Sequence, residues 1–491
     1  NQKSHVHDVI KKLLNKCQLI INMMEKKAKI IATLGPAIYS EKKLKKIISL
    51  GVDAFRINFS HDITDVKQVI SRIRKLENKL NKRIAVIADL QGIKLRIGKI
   101  SSEKLRIKHN QKFTFDTNKK VGNNLRVCFP YSFIINKIKI GSKILLDDGK
   151  FTFKVIKKNK KSLVTRCLST NCILSSNKSV HIPNIKIPLK RLTKKDKKDI
   201  STAKRMGCNW IALSYIQSSS LIKETRKLIN SDIGIISKIE NKIAIKNIKE
   251  IINASDAIMI ARGDLAIEIG HNEVPSVQLE LIKKCAALSK PVIVATQMLE
   301  SMIENPSPTR AEINDIATAI FQGADAVMLS AETAIGKNPT QSVKTMSKTI
   351  LSTEKYKKQH INEFKSSIDA KKNIMKSVVL SVKDLAYNSS VKSIIAFSNS
   401  GKTAKIVSSM RPSVSIITIS PNVNVSRGVS LLWGIKSINS RDARNWNDMI
   451  KISKEIIAKE KSIKKKDYVI ITAGLPFGKT KMTNMIRLYE V

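Results

Sequence analysis

Eight short apolar runs, each followed by a helical pattern, constrain the fold of this chain most strongly. The first run, KIIAT (Lys29–Thr33), precedes a segment in which Leu44, Ile47 and Ile48 share one helical face. The other runs are Ala54–Asn58, Ile84–Asp89, Trp210–Ser214, Gly234–Glu240, Ala257–Asp264, Val292–Gln297 and Ala326–Glu332. Runs that are apolar along their length are typical of buried parallel strands. Eight β/α units therefore predict an α/β fold of the closed (β/α)8 TIM-barrel type.

The spacing of the runs predicts two further domains. About 120 residues separate the third and fourth runs, far more than a normal connection. Strand-like alternation within them, as in Lys112–Phe115 and Phe151–Val155, indicates an inserted small β-barrel domain that lies over the barrel mouth as a lid. A separate α/β pattern follows the barrel. The predicted boundaries are 24–92 and 189–357 for the barrel, 93–188 for the lid, and 358–491 for a C-terminal α/β domain.

Residues 1–23 allow three interpretations. The segment does not begin with Met and lacks the uninterrupted apolar core of a secretion signal. It fits an amphipathic targeting helix, a structural helix, or an artefact upstream of a translation start near Met23 or Met24. We favour the third interpretation.

The charge of the chain is strongly basic, with 90 Lys and Arg against 39 Asp and Glu and a formal net charge of +51. A nucleic-acid or membrane-binding protein is one explanation, and a solvated basic surface is the other. The excess is spread along the whole chain and aromatic residues make up 4%, so we favour the second and expect no specific nucleic-acid or membrane partner. No apolar run reaches the ~20 residues of a membrane span. Six cysteines without CxxC pairs predict reduced thiols and a cytoplasmic location.

Polar residues follow the apolar runs at the end where barrel active sites lie. Glu240 and Asp264 end neighbouring runs, and paired carboxylates of this kind can hold Mg²⁺ together with substrate oxygens. Lys238 lies two positions before Glu240, on the same face of a strand, where it can neutralise a transferring phosphoryl group. Ion-paired residues at the end of a barrel are the alternative for the two acids.

Several strings resemble the pyruvate kinases. They are KIIATLGPA (29–37), FRINFSH (55–61), ADLQGIKLRIG (88–98), LLDDG (145–149), ISKIEN (236–241), MIARGDLAIEI (259–269) and the long segment at 290–339, with a looser match in SNSGKTAKIVSSMRP (398–412). The resemblance implies transfer of the phosphoryl group of phosphoenolpyruvate to ADP, giving pyruvate and ATP at the end of glycolysis. It also implies a homotetramer.

The resemblance implies a role for each residue that matches a motif. Glu240 and Asp264 are expected to bind Mg²⁺ or Mn²⁺, and Lys238 to stabilise the phosphoryl group in flight and the enolate left behind. Arg56 is expected to grip the phosphoryl group, while backbone N–H groups at Gly263 and Asp264 hold the substrate carboxylate.

Three further sets of residues match positions near the substrates. Thr296 is expected near the enolate carbon that gains a proton. The residues expected to face the nucleotide are Asn58, His61, Arg96 and Lys178. The residues expected around a monovalent cation are Asn58, Ser60, Asp89 and Leu90.

Lys94 indicates a subtype. Many members of the family carry Glu at this position and need K⁺, whereas others carry Lys and work without it. The string Leu90-Gln91-Gly92-Ile93-Lys94 fits the second pattern. The resemblance therefore predicts that the Lys94 ammonium replaces the cation and that K⁺ is not required.

The C-terminal domain contains two strings, GKT at 401–403 and GKT at 478–480, that imitate a phosphate-binding P-loop but lack its first glycine. The first places Ser398, Ser400, Gly401 and Thr403 between a strand and a helix, where a phosphate could bind. By resemblance this is an effector pocket for a sugar phosphate or AMP. A capped helix without a ligand is the alternative.

Two rival functions are consistent with parts of the sequence. Another Mg²⁺-dependent barrel enzyme, such as a dikinase or an aldolase, would share the metal site but not the inserted lid or the ATQMLESM string. A catalytically inactive polyanion-binding protein would explain the charge and would bind RNA in a salt-sensitive way.

Overall fold

The computed structural model describes residues 26–61, 63–183, 185, 191–360, 374–460, 462–475 and 483–491. The predictions for residues 1–23 and for the GKT string at 478–480 lie outside the described residues.

Strands and helices alternate through most of the described chain. In chain order the strands are β1 (Lys29–Thr33), β2 (Val52–Asn58), β3 (Ala85–Asp89), β4 (Leu105–Ile107), β5 (Lys112–Asp116), β6 (Arg126–Cys128), β7 (Lys143–Leu146), β8 (Phe151–Lys158), β9 (Ser162–Cys167), β10 (Cys172–Leu174), β11 (Val180–His181), β12 (Trp210–Leu213), β13 (Gly234–Ile239), β14 (Ala257–Ala261), β15 (Val292–Ala295), β16 (Ala326–Leu329), β17 (Val391–Phe397), β18 (Ser415–Ser420), β19 (Ile435–Asn439), β20 (Tyr468–Ala473) and β21 (Met485–Glu490). The α-helices are α1 (Glu41–Ser49), α2 (Val66–Leu80), α3 (Ser132–Ile135), α4 (Lys194–Arg205), α5 (Ser219–Leu228), α6 (Lys242–Lys246), α7 (Ile248–Ala254), α8 (Arg262–Ile269), α9 (Val274–Ala287), α10 (Arg310–Gln322), α11 (Ala331–Ala334), α12 (Pro339–His360), α13 (Ile374–Asn388), α14 (Lys402–Ser409), α15 (Val423–Val429) and α16 (Trp446–Ile457). Short 3-10 helices cover Pro36–Ile38, His271–Glu273 and Glu300–Ile303.

The eight predicted runs form a closed parallel barrel in the order β1, β2, β3, β12, β13, β14, β15, β16 and back to β1. Every residue of β1, β3, β12, β14, β15 and β16 is buried, because helices cover the outside and side chains fill the interior. The predicted fold class is confirmed. Some runs continue past their strands, however: β14 ends at Ala261, so Asp264 lies in the first turn of α8 and not on the strand.

The lid contains a six-stranded sheet in the order β11-β7-β8-β9-β5-β6 and the pair β10-β4. Its core is aromatic: Phe113, Phe115 and Phe153 are fully buried, with ring centroids 5.4 to 5.7 Å apart. The insertion therefore has a hydrophobic core of its own, as the alternating pattern indicated.

The C-terminal part forms a five-stranded sheet in the order β19-β18-β17-β20-β21. The apolar runs Ser393–Ser398, Ser415–Ser420 and Asp467–Gly474 predict the three central strands. They do not extend to β19 and β21, which lie at the two edges and are partly exposed. Edge strands lack the continuous apolar run of buried strands, so the pattern gave no signal. None of the described helices combines the length and apolar character of a membrane span.

A buried ion pair connects the barrel to the C-terminal domain. Glu77 on α2 is fully buried and lies 2.8 Å from the Arg427 guanidinium of α15. Glu77 also accepts hydrogen bonds from Arg74 and from the backbone N–H of Ile84. Nearby, the indole N–H of Trp210 donates to the Gly428 carbonyl over 3.1 Å.

We expect Arg427→Ala to lower the free energy of unfolding by about 3 kcal/mol, because it leaves the buried Glu77 carboxylate with Arg74 as its one remaining cation among the described ion pairs. Denaturant unfolding measures this loss. Arg441→Ala is the matched control, since Arg441 is half exposed in its pair with Asp448, and exposed pairs contribute ~0–1 kcal/mol. Equal effects of the two substitutions would contradict a stabilising interdomain contact.

Candidate active site

A cluster of charged side chains lies at the carboxyl ends of β2, β3 and β13. The Lys238 ammonium is 2.9 Å from Glu240 Oε1 and 3.2 Å from Asp89 Oδ1. Arg56 Nε donates to the other Asp89 oxygen over 2.7 Å and Nη1 donates to Thr33 Oγ1 over 3.2 Å. The predicted convergence of Lys238 and Glu240 is therefore present, and Asp89 links them to Arg56.

The charged side chains of this cluster shift one another's pKa values. Burial lowers the pKa of Lys238, but Asp89 and Glu240 outweigh burial, so its pKa lies above the ordinary value and the ammonium stays charged. Burial also raises the pKa of Asp89, yet Lys238 and Arg56 hold it below its usual range. The site thus holds two charged cations, Lys238 and Arg56, that are paired with carboxylates at the mouth of the barrel.

Glu240 is the carboxyl group of the cluster whose pKa is raised. Burial raises the pKa of its carboxyl, Asp264 raises it further, and Lys238 only partly opposes this. Glu240 follows β13, and Asp264 lies in the first turn of α8, which follows the adjacent strand β14. Carboxylates that repel each other in a buried site are stabilised by a divalent cation, so the donor set fits Mg²⁺.

No cluster of three or more metal-ligating side chains occurs within the part of the chain that the structure describes. Glu240 and Asp264 could supply two carboxylate ligands, and substrate oxygens and water would have to supply the others. This is the mode of binding that Mg²⁺ favours in phosphoryl-transfer sites.

Thr296 and Gly263 meet next to the cluster. The Gly263 backbone N–H donates to Thr296 Oγ1 over 2.8 Å, and the Thr296 hydroxyl donates to the Ala295 carbonyl over 2.6 Å. Thr296 has a positive φ of 69°, and Arg262 donates to its carbonyl oxygen. The Gly263 N–H, expected to hold a substrate carboxylate, is thus directed at Thr296 in this structure.

Lys94 contacts carboxylates of both the lid and the barrel. Its ammonium is 3.7 Å from Asp148 of the lid and 4.0 Å from Asp264. The Asp89 carboxylate, expected to border a monovalent cation, contacts Lys238 and Arg56. Lys94 thus lies between the lid and the first turn of α8, which contains Asp264.

The other residues predicted near the nucleotide or the cation are spread around the mouth. Asn58 Oδ1 accepts from the Ser60 backbone N–H, and His61 is exposed. Leu90 is buried and its carbonyl accepts from the Ser214 hydroxyl over 2.7 Å. These positions belong to the barrel and not to the lid.

Arg96 and Lys178 lie together on the lid, on paired segments. Arg96 Nη1 donates to the Asn177 carbonyl over 2.8 Å, and Lys178 Nζ donates to Asp147 over 2.7 Å. Both cations of the lid are therefore hydrogen-bonded to groups of the lid itself.

The predicted effector residues surround the start of α14. Gly401 precedes the helix with a positive φ of 79° and Ser400 is exposed, whereas Ser398 is buried. The Thr403 hydroxyl is paired with the Thr483 hydroxyl at 2.8 Å. This geometry is compatible with either a phosphate site or a capped helix.

Sequence reasoning missed the roles of Ser214 and Tyr215. Ser214 Oγ accepts from Lys238 Nζ over 3.0 Å, and the Tyr215 backbone N–H donates to Glu240 Oε2 over 2.6 Å. The signal for Ser214 was its place after an apolar run. No signal distinguished Tyr215.

Two family models match the chain: "Pyruvate kinase, barrel domain" over residues 25–343 and "Pyruvate kinase, alpha/beta domain" over residues 376–489. The chain is 36% identical over 475 residues to a pyruvate kinase of Geobacillus stearothermophilus, covering 95% of this chain and 81% of that protein. It is 35% identical over 468 residues to a pyruvate kinase of Agrobacterium vitis, with coverages of 95% and 97%. A crystal structure of a pyruvate kinase from Cryptosporidium parvum matches with a TM-score of 0.88 at 29% identity and covers 96% of this chain and 97% of that one.

Proposed function

The chain belongs to the pyruvate kinase family, and on that premise we propose that its barrel mouth transfers the phosphoryl group of phosphoenolpyruvate to ADP, giving pyruvate and ATP. The observation that carries the proposal is the position of the Lys238 ammonium between Glu240 and Asp89, with Arg56 on the far side of Asp89. Three anions meet during this reaction: a carboxylate, a phosphoryl group and a nucleotide diphosphate. Fixed cations in a partly buried site lower the energy of such a transition state.

We assign each residue a role that its contacts allow. Lys238, charged and held on two sides, neutralises the phosphoryl group in flight and the enolate that remains. Arg56 has Nε and Nη1 anchored on Asp89 and Thr33, so its free edge can bind phosphoryl oxygens. Thr296 lies beside Gly263, where it can orient the water that protonates the enolate carbon. Protonation to the ketone provides the driving force of the reaction.

Glu240 and Asp264 would hold Mg²⁺ or Mn²⁺, which would supply a divalent positive charge that offsets the negative charge of the substrates. The backbone N–H groups at the start of α8 would bind the substrate carboxylate once Thr296 releases Gly263. On the nucleotide side, we assign Asn58, His61, Arg96 and Lys178. The two lid cations would reach the diphosphate when the lid moves towards the barrel.

A coupled assay for pyruvate formation from phosphoenolpyruvate, ADP and Mg²⁺ tests the proposal. Turnover that requires ADP, without added orthophosphate or AMP, separates a pyruvate kinase from a dikinase, and the absence of carbon–carbon cleavage separates it from an aldolase. Tight, salt-sensitive RNA binding without turnover would instead favour the polyanion-binding protein.

We further propose that the enzyme works without K⁺ through Lys94. The motif supports this, and the Lys94 ammonium lies at the mouth within 4.0 Å of Asp264. We expect wild-type turnover in buffers free of K⁺ and Na⁺, and for Lys94→Glu we expect about a tenfold loss that added K⁺ restores. Initial rates in tetramethylammonium buffer measure both. Lys99→Glu, at an exposed lid position, is the control. Loss of wild-type activity in that buffer would reject the subtype.

The effector pocket at Ser398, Ser400, Gly401 and Thr403, the homotetramer and the cytoplasmic location remain predictions. Activation by a sugar phosphate or AMP that Thr403→Ala abolishes would support the pocket, and sedimentation velocity measures the oligomeric state.

A further inference from the structure

The six-stranded sheet of the lid carries a straight row of cations across four neighbouring strands. Lys143 on β7 lies directly opposite Lys154 on β8. Lys154 lies opposite Arg166 on β9, which in turn lies opposite Lys112 on β5. Adjacent strands are ~4.8 Å apart, so the row is roughly 15 Å long. We call these residues the cation row.

The side chains of the cation row point away from the core of the lid. All of them are exposed, whereas the residue that follows each one along its strand is buried; these followers are Ile144, Val155, Cys167 and Phe113. An irregularity in the pairing of β8 with β9 brings a further exposed cation, Lys157, opposite Val164 on the same face. The solvent-facing side of the sheet is therefore lined with positive charge.

The acids of the lid do not compensate this charge. The lid contains the acidic residues Glu103, Asp116, Asp147 and Asp148, of which the last three pair with Arg126, Lys178 and Lys94. Among the described residues, no ion pair or side-chain hydrogen bond involves a member of the cation row. Like charges that lie directly opposite each other destabilise a sheet, so folding alone does not favour this arrangement.

The row fits a linear polyanion with evenly spaced charges. Cations that follow one line can neutralise successive phosphates of a nucleic-acid strand. The outward positions beside the row are half-buried and none is aromatic; they are Thr114, Leu145, Thr152 and Val164. The face therefore offers neither a stacking surface for bases nor apolar side chains that enter a bilayer. Contact through phosphates alone carries no sequence information.

We propose that the cation row binds the sugar–phosphate backbone of single-stranded nucleic acid without regard to its sequence. The positive charge of the chain is spread evenly along the sequence, but the pairing of β7, β8, β9 and β5 collects part of it in one line. The surface includes none of the residues assigned to the barrel mouth, so the inference goes beyond the proposed function and does not depend on it.

Replacing the two central cations, with Lys154→Gln and Arg166→Gln in one chain, tests the inference and leaves the buried face of the sheet intact. Fluorescence anisotropy of a labelled oligouridine of about 15 nucleotides, measured between about 50 and 200 mM KCl, gives the Kd and its salt dependence. Neutralising about four phosphates predicts a slope of about −2.8 for the logarithm of the association constant against that of the salt concentration. The double variant should show a slope of about −1.4 and a Kd weakened by about tenfold or more.

Lys45→Gln with Lys46→Gln is the matched control, because it removes two exposed lysines from α1 of the barrel. Its Kd should stay within about twofold of the wild-type value. Equal weakening by the two double variants would overturn the inference, since it indicates binding through overall charge. A wild-type chain that does not bind the oligouridine would overturn it as well.

A second variant at the ends of the row, Lys112→Gln with Lys143→Gln, guards against a local folding defect at the centre. It should give the same reduced slope, and an unchanged slope would contradict the inference. Phosphatidylserine vesicles and polyglutamate serve as alternative partners. A greater loss of binding to either of them than to RNA would assign the row to a membrane or to an acidic protein instead. These titrations need no turnover, so their outcome and that of the pyruvate assay are independent.

Discussion

Lys238→Met should lower kcat by about 10³-fold or more while the KM for phosphoenolpyruvate changes little. The ammonium is held by Glu240 and Asp89 and stays charged. Its effect is largest when charge develops on the phosphoryl group and the enolate, so its loss falls on the transition state. A 10³-fold loss corresponds to ~4 kcal/mol, within the range for a preorganised electrostatic group. Steady-state kinetics of pyruvate formation measure it.

Lys82→Met is the control for Lys238→Met. Lys82 also combines an ion pair, with Asp53, and a hydrogen bond to a backbone carbonyl, but it lies at the opposite end of the barrel. It should leave kcat within about twofold. When Lys238 is replaced, Asp89 still accepts a hydrogen bond from Arg56 and Glu240 still accepts one from the Tyr215 N–H, so the variant should remain folded. Melting temperatures of both variants check this and separate a loss of catalysis from a loss of stability. A folded Lys238→Met enzyme with kcat within tenfold of wild type would overturn the assignment.

Asp264→Asn should raise the Mg²⁺ concentration for half-maximal activity by at least about tenfold and lower kcat by about 10²- to 10³-fold. Glu240 and Asp264 are the two carboxylates proposed to hold the metal, and an amide is a weaker, uncharged ligand for a hard cation. Removing the Asp264 charge also removes one cause of the raised pKa of Glu240. Titrating activity with Mg²⁺ and with Mn²⁺ measures both effects.

Glu273→Gln serves as the control for Asp264→Asn, because Glu273 is exposed just beyond α8. Its Mg²⁺ dependence should match that of the wild type. A chelator should abolish wild-type turnover, and added Mg²⁺ should restore it. Full activity of Asp264→Asn at the wild-type Mg²⁺ concentration would place the metal elsewhere.

The architecture was predictable because burial leaves a direct trace in the sequence. The barrel strands are covered on both faces, so they are apolar along their length, as in β14 (Ala257–Ala261). Their carboxyl ends necessarily meet at one mouth. Lys238 and Glu240 are two positions apart on one such run, so their sequence positions already predict that both side chains lie at this mouth on the same face. The edge strands β19 and β21 were missed because partly exposed strands carry no such trace.

The sequence by itself determined the barrel, the inserted lid and the set of charged residues at the mouth, since each follows from periodicity, spacing and motif. Only the tertiary structure decided the partners of those charges: Asp89 contacts Arg56 and Lys238, Lys94 reaches Asp264 and Asp148, and the Tyr215 backbone holds Glu240. These contacts join residues that are distant in the chain, and long side chains can select among several partners within reach. The choice depends on backbone angles and distances of a few ångströms that no one-dimensional pattern contains.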